Sequence, residues 1–185
     1  MPTASNVSVA KPRVAGCVYR GKTTATAPTD ASTAVSSSTF DNLGYVSDEG
    51  FTNNDSFNIT EIKAFGGDVV CIDQSEHTDE WSFVLVESLN TDVQKAVYGD
   101  SNVSGTLSTG VTINSNNAAL ESRIWVIDTL QNGVLRRDVL HNARVKSRGE
   151  VLYKGANLIA YKITLGCIAN ASGVTHTTYL KTAST

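Results

Sequence analysis

The stretch Trp81–Asp100, WSFVLVESLNTDVQKAVYGD, decides the fold, because within it the chain changes from strand to helix without a linker. Trp81, Phe83 and Leu85 alternate with the residues between them. This period of two is typical of a strand that buries one face. The stretch therefore predicts a core strand that leads directly into the next element.

The following residues predict a short helix. Thr91 and Gln94 fit a capping box at its start, and Gly99 is suited to end it. The apolar stripe of this helix consists of Val93, Ala96 and Val97. Because so short a helix is marginal in water, we expect a sheet to hold it in place.

Composition favours a single β domain. The chain has 185 residues, of which 41% are hydrophobic and only 18% are charged. This balance, with abundant Ser, Thr, Asn and Gly, is typical of sandwiches and barrels. We expect an N-terminal arm at residues 1–12, one β domain at 13–181 and a tail at 182–185. The formal net charge of −3 argues against a polycationic nucleic-acid binder.

Two long loops interrupt the predicted strands, at residues 21–39 and 48–58. The first is rich in Thr, Ala and Ser, and the second is polar apart from two aromatics. Loops of this length in a compact domain are more often functional than idle. Strands are predicted at 13–19, 40–46, 59–65, 68–72, 81–86, 111–114, 121–130, 134–147, 158–168 and 174–181. Asn132-Gly133 favours a hairpin turn, and the last two strands are expected to pair.

No constellation of catalytic, cofactor-binding or metal-binding residues emerges from the sequence. The acidic residues within 73–80 are better interpreted as a solvated turn than as a cation site. The three histidines lie dozens of residues apart, and nucleotide-binding and nucleophile motifs are missing. We therefore expect no cofactor and no enzyme activity. Cys17, Cys71 and Cys167 lie in apolar runs and predict buried free thiols.

The chain has no apolar segment of the roughly 18 residues that span a membrane, and its first twelve residues do not resemble a secretory signal. We expect synthesis in a reducing cytoplasm and no membrane partner.

Four segments together resemble the major tail protein of long-tailed bacteriophages of Gram-positive hosts. They are FDNLGYVSDEGF (40–51), IKAFGGDVV (62–70), FVLVESLNTDVQKAVYGDSNV (83–103) and WVIDTLQNGVLRRDVLHNARV (125–145). The resemblance implies two packed β-sheets, as a sandwich or partial barrel, with one short flanking α-helix. It also implies hexameric rings that stack head-to-tail into the tail tube of the virion, through which DNA passes without specific binding. Its implied partners are further copies of the chain and the tape measure, tail terminator and distal tail proteins.

The second long loop is the predicted contact with a neighbouring ring. We expect Asp48–Asn58 and the strand after it to reach the adjacent copy, with Phe51 and Phe57 as apolar anchors. Two aromatics in a polar loop would otherwise be exposed in a monomer. The predicted interface residues are Asp48, Phe51, Phe57 and Ile59.

Acidic side chains are expected on the surface that faces the DNA, because they would repel phosphates and let a duplex slide. The candidates are Glu87, Glu121, Asp128 and Asp138. Charge reversal at these positions is expected to leave assembly intact and to slow DNA ejection.

Two other functions stay open at this point. One is a tail completion or adaptor protein that forms a ring but does not stack. The other is a monomeric adhesin or carbohydrate-binding β-sandwich, which would present exposed aromatics on one face.

Overall fold

The computed structural model describes residues 2–14 and 16–183. It is mainly β, with two sheets and one short helix, as predicted. The strands are β1 (Ala10–Pro12), β2 (Val18–Gly21), β3 (Phe40–Asn42), β4 (Val46–Lys63), β5 (Val69–Leu85), β6 (Val103–Thr106), β7 (Gly110–Ile113), β8 (Arg123–Gln131), β9 (Val134–Arg148), β10 (Tyr161–Cys167) and β11 (His176–Thr182). The helix α1 is Thr91–Tyr98, and single 3-10 turns lie at Ala4–Asn6 and Asp100–Asn102.

The two sheets are very unequal in size. Nine strands form the large sheet, in the order β3-β2-β8-β9-β10-β5-β4, with β1 also paired to β8 and β11 to β9. The small sheet is the β6–β7 hairpin, which contacts α1. All of these strand pairs are antiparallel. The strand β4 forms one edge of the large sheet, and this position matters for the site.

The predicted helix is confirmed, but its cap is different. The side chain of Asn90 accepts a hydrogen bond from the backbone N–H of Asp92 at 3.0 Å, so the N-cap is Asn90 and not Thr91. The side-chain amide of Gln94 donates instead to the Tyr161 hydroxyl at 3.1 Å. The helix ends at Gly99, whose φ of +99° suits glycine. Asn and Thr both cap helices, so local sequence left the choice between adjacent residues open.

The β8–β9 hairpin forms as predicted around Asn132 and Gly133. Their φ values of 48° and 83° are the two positive angles of a type I′ turn. The predicted pairing of the last two strands is wrong. β10 pairs with β9 at 143–148 and β11 pairs with it at 134–140, so the two lie end to end along β9. The 15 residues of β9 provide enough length for both.

The core lies on both faces of the large sheet. On one face, α1 packs its buried residues against Phe83, Trp125 and Ile163. On the other face, residues 22–39 cover Val126 and Val139. This segment contains no strand or helix, as predicted for a loop at 21–39.

The sequence placed the two ends of the domain only approximately. The expected strand at 13–19 is β2 at Val18–Gly21, and three residues of the predicted arm form β1 against β8. The predicted tail at 182–185 begins with the last residue of β11, and its residues 184 and 185 lie outside the described part of the chain. No helix within residues 2–14 and 16–183 is long and apolar enough to cross a membrane.

The largest correction concerns residues 46–85. The predicted loop at 48–58 and the predicted polar turn at 73–80 both belong to strands, β4 and β5. The strands pair from Val46 to Lys63, and the turn lies at Gly66-Gly67, between the strands predicted at 59–65 and 68–72. Most side chains here are solvated on both faces of the ribbon, so the sequence lacks the alternation by which a half-buried strand is recognised.

Candidate functional site

The outer half of the β4–β5 hairpin projects from the sheet, and we call residues 54–80 the outer hairpin. The strand β10 pairs with β5 only as far as Glu80, so beyond that point the two strands have only each other. Every residue from 52 to 78 is exposed. About ten residues per strand give the outer hairpin a length of roughly 30 Å. A two-stranded ribbon of this kind is at best marginally stable alone, and both of its edges are free to pair.

Apolar side chains occupy both faces of the outer hairpin. Ile59 and Ile62 are 56% and 51% exposed, and Val70 and Ile72 are 63% and 64% exposed. Glu61 is opposite Ile72, so Ile59 and Ile72 share a face, while Ile62 and Cys71 share the other. Exposed apolar side chains on both faces of a solvated ribbon are characteristic of an interaction surface.

The four predicted interface residues lie in different environments. Phe57 and Ile59 are 55% and 56% exposed and belong to the outer hairpin. Asp48 is exposed, in the irregular stretch before Phe51 where the pairing with β5 shifts register. Phe51 is partly buried, and its ring lies 5.5 Å from that of Phe83. The expectation that a monomer would expose Phe51 is therefore wrong, because the core partly covers its ring, whereas the role of Phe51 at an interface stays a prediction.

A chain of carboxylates and histidines fixes the root of the outer hairpin. Asp55 and Asp79 are direct cross-strand neighbours, a pairing that like charges disfavour. His77 Nε2 lies 2.6 Å from Asp55 Oδ1, and His176 Nδ1 lies 2.7 Å from Asp79 Oδ2. Asn53 Nδ2 also donates to Asp79 at 2.9 Å. Each carboxylate thus has its own partner, which offsets the repulsion between the two acids at the root of the hairpin.

The electrostatics of this root follow from burial and pairing. Burial raises the pKa of Asp79, but hydrogen bonds from His176, Thr175 and Asn53 and the His176 charge outweigh burial and hold that pKa at about 2. The hydrogen bond to Asp79 raises the pKa of His176, against the opposing effect of burial. Burial lowers the pKa of His141, and the His176 charge lowers it further. The pairing therefore favours the charged forms of both His176 and Asp79.

The buried acids among the predicted lumen residues do not face solvent. Asp128 is 2% exposed, and its two oxygens accept from Arg137 at 2.7 Å each. Asp138 is also 2% exposed, and Arg136 and Thr178 donate to it. Both were predicted to present charge to DNA, and a buried, ion-paired carboxylate has no exposed charge to present. They hold the sheet together instead.

The other two predicted lumen acids remain at the surface. Glu87 accepts from the Tyr45 backbone N–H at 3.0 Å and from Asn90 at 3.1 Å, so it fixes the turn before α1. Glu121 is exposed and pairs with Arg123. Of the four predicted acids, Glu121 is thus the one whose side chain is clearly exposed.

Sequence reasoning also misjudged one cysteine. All three cysteines are free, but only Cys17 is fully buried. Cys71 is exposed on the outer hairpin, because the apolar run around it lies in a ribbon without a core. Burial raises the pKa of both Cys17 and Cys167. Within residues 2–14 and 16–183, no group of three or more His, Cys, Asp or Glu is placed to hold a metal ion.

A groove of about 410 Å³ lies beside the hairpin root, between β1 and the start of β4. Three buried polar atoms in residues that line it have no hydrogen-bond partner in the part of the chain that the structure describes. They are Ser47 Oγ, Trp81 Nε1 and Thr129 Oγ1. Buried polar atoms are normally paired, so these three are exceptions within the described residues.

No protein-family model matches the chain, and no curated protein matches it. The chemistry of the protein is therefore argued from its own residues. Its most distinctive surface is the outer hairpin with the groove at its root.

Proposed function

We propose that the protein is the structural subunit of a bacteriophage tail tube. In this proposal six copies close into a ring, and rings stack head-to-tail into a hollow tube that conducts DNA from the virion. Other tail proteins meet the tube at its ends, and DNA slides through the lumen without specific binding. The subunit is made in the cytoplasm of the bacterial host and acts in the virion, without a cofactor or an enzymatic step.

The observation that carries the proposal is the outer hairpin, which is exposed on both faces and free at both edges. A ribbon that presents apolar side chains to water is explained most simply by a second molecule that covers it. A hairpin that reaches from one copy to a different surface of the next makes a heterologous contact. Such contacts close into rings or continue as filaments.

The exposed apolar surface of the outer hairpin is large enough to stabilise a contact that is repeated between copies. Ile59, Ile62, Val70 and Ile72 are 51–64% exposed. Burial of a whole aliphatic side chain is worth about 1.5–3 kcal/mol, so covering the exposed half of each contributes about 1 kcal/mol, or about 4 kcal/mol per hairpin. Every copy in a ring repeats this contribution. Because every copy makes the same contact, many weak contacts together stabilise the tube.

The test is assembly of the purified protein over a concentration series, followed by mass photometry and negative-stain electron microscopy. We expect masses near six times the 19.7 kDa of the subunit and, at higher concentration, long tubes. The hairpin variant I59T/I62T/I72T keeps β-branched side chains and removes apolar surface. It is expected to fold, as judged by circular dichroism, and to form no tubes.

A matched control changes exposed apolar residues outside the outer hairpin. Leu107 and Leu158 are 64% and 72% exposed, and L107T/L158T is expected to assemble like the wild type. Rings without tubes would indicate the non-stacking adaptor instead. A compact monomer at every concentration would refute the proposal and favour the adhesin class.

A further inference from the structure

Charge is divided unequally between the outer hairpin and the rest of the subunit. The outer hairpin contains seven carboxylates and one lysine, so its formal net charge is −6. The carboxylates are Asp55, Glu61, Asp68, Asp73, Glu76, Asp79 and Glu80. The whole chain has a net charge of −3, so the remaining residues, which we call the body, carry +3. A subunit with this asymmetry attracts the body of another copy with its hairpin.

Most cations of the body are already neutralised. Of its fourteen Lys and Arg residues, eight have a carboxylate within 4.0 Å, and six have none among the residues that the structure describes. The six are Lys11, Arg144, Arg148, Lys154, Lys162 and Lys181. Four of them lie between residues 144 and 162, along the end of β9, the start of β10 and the segment between them. The excess positive charge is therefore local.

The sheet places three basic side chains on one face. Lys162 alternates with the buried Ile163, so it points away from the core. Arg144 is the cross-strand partner of Gly166, which shares the face of Lys162. Lys146 pairs with Glu80, the partner of Gly166 on β5. We call Arg144, Lys146 and Lys162 the basic face.

A groove accompanies the basic face. It has a volume of about 770 Å³ and lies between residues 116–120 and the paired ends of β9 and β10, with Arg144, Lys146 and Arg148 in its lining. Arg144 and Lys162 are both exposed. Lys162 lies outside this lining, Lys146 is already paired with Glu80, and the Arg148 guanidinium lies over the Tyr98 ring. Arg144 is therefore the cation of the groove that is left for a partner, with Lys162 beside it on the sheet.

We propose that the basic face is the docking site for the outer hairpin of a second copy. The pair Lys146–Glu80 joins a carboxylate of the outer hairpin to this face within one subunit, so the two chemistries are compatible. Asp68 and Asp73, farther out, are exposed, and within the described residues neither side chain has a partner. The inference rests on the proposed self-assembly and adds which surface receives the hairpin.

The charge pattern predicts a dependence on salt. Exposed ion pairs are screened over about 10 Å at 0.1 M salt and over about 3 Å at 1 M. The critical concentration for tube growth is expected to rise as NaCl increases over this range. Each exposed pair contributes a factor of about 1.4 to 5 in the association constant, so several pairs together give a measurable effect.

Two reversed variants and their mixture test the docking directly. The hairpin-reversed variant is D68K/D73K, and the face-reversed variant is R144E/K162E. D68K/D73K changes the formal charge of the outer hairpin from −6 to −2 and places two lysines opposite the basic face, whereas R144E/K162E changes the basic face from +3 to −1 and places two carboxylates opposite an acidic hairpin. The critical concentration of each variant alone is expected to rise at least about ten-fold. In an equimolar mixture, each reversed surface meets its complement on the other variant. We expect the mixture to form alternating tubes at close to the wild-type concentration.

The control is K11E/K181E, which makes the same change in net charge as R144E/K162E at two cations away from the basic face. It is expected to assemble like the wild type, and circular dichroism verifies the fold of each variant. A mixture that does not recover, or reversed variants that assemble normally, overturns the docking site while wild-type tubes still support the tube subunit.

Two further results separate the alternatives. Binding of a short DNA duplex by the wild type that is lost in R144E/K162E, with tube growth unchanged, would assign the basic face to nucleic acid and overturn the docking. Wild-type protein that stays monomeric under all conditions overturns both the docking and the proposed function.

Discussion

Replacement of Asp128 by asparagine tests the buried network that joins the long loop to the sheet. Asp128 and Arg137 are cross-strand neighbours on β8 and β9, with side chains 3% and 1% exposed. Arg137 also donates to the backbone oxygens of Asp30 and Thr33 at 2.9 and 2.8 Å. Arg13 adds a third link, because its guanidinium donates to Asp128 at 2.9 Å. The Asp128 carboxylate therefore holds the Arg137 guanidinium in place, and that guanidinium in turn binds the backbone of residues 30–33.

The magnitude follows from burial. The new amide side chain would have nearly the same shape as the carboxylate but no charge, and the buried guanidinium of Arg137 would lose its counterion. Loss of one partner of a buried pair costs about 3–5 kcal/mol. For a domain of this size, 1 kcal/mol shifts the melting temperature by about 2–4 °C, so Asp128→Asn is expected to lower it by about 6–20 °C.

The assay is thermal unfolding together with limited proteolysis of the 22–39 loop. The variant is expected to melt earlier and to be cleaved in this loop under conditions that leave the wild type intact. Asp41→Asn is the matched control. Its carboxylate lies 3.3 Å from the exposed Lys22, and loss of such a pair is worth about 0.2–1 kcal/mol. An unchanged melting temperature and loop for Asp128→Asn would refute the network. It would also restore the simpler hypothesis that Asp128 is a lumen acid that can be changed without harm.

Three further predictions concern other parts of the molecule. In free subunits, Cys71 on the outer hairpin is expected to react with a maleimide far faster than the other two cysteines. Assembly into tubes is expected to protect Cys71 from the maleimide. Equal labelling of Cys71 in tubes and in free subunits would mean that the hairpin stays uncovered. Gly44→Ala is expected to lower the free energy of unfolding, measured by chemical denaturation, by more than about 2 kcal/mol. Gly44 has a φ of +73°, and a Cβ at this position would collide with the Glu87 carboxylate. A variant as stable as the wild type would show that this turn relaxes freely. The pKa of His176 is raised in the folded state, so the stability that the His176–Asp79 pair provides through His176 is fully present below the unfolded pKa near 6.5 and is lost as pH rises through the folded pKa. The pKa of Asp79 is held at about 2, so the stability that depends on the Asp79 charge is lost only in strong acid. His176→Gln should therefore destabilise the protein more at a pH of about 5 than at about 9, and an equal loss at both would mean that His176 is neutral throughout.

Local patterns predicted several elements correctly because the responsible residues act within a few positions of one another. The alternation through Trp81 and Leu85 identified the core strand, and Gly99 marked the end of α1. Asn132 and Gly133 predicted their turn, since few other residue pairs adopt two positive φ angles readily. The polar, small-sided composition of residues 22–39 predicted a loop for a similar reason.

The strands predicted at 59–65 and 68–72 form the far end of the outer hairpin, but residues 54–58 and 73–80 were predicted as loop and turn, because their environment is not encoded in their neighbours. A strand is recognised when one face is buried, and residues 52–78 are exposed on both. Pairing alone makes this segment β, and the partner strand lies far along the chain, as in the pairing of Thr52 with Ser82. The isoleucines of the hairpin did signal apolar surface, but not on which side of the subunit it would lie.

By itself, the sequence determined a β-rich domain, the position of its helix and its tightest turns, because these follow from side-chain periodicity and backbone preference over short distances. Only the tertiary structure decided which acids are buried and which are free. Asp128 and Glu121 look alike in sequence, yet Asp128 meets Arg137 across a strand pair, whereas Glu121 stays in water. The physical reason is that strands far apart in the sequence pair in the sheet. Their pairing decides which side chains become buried neighbours and which remain exposed to solvent.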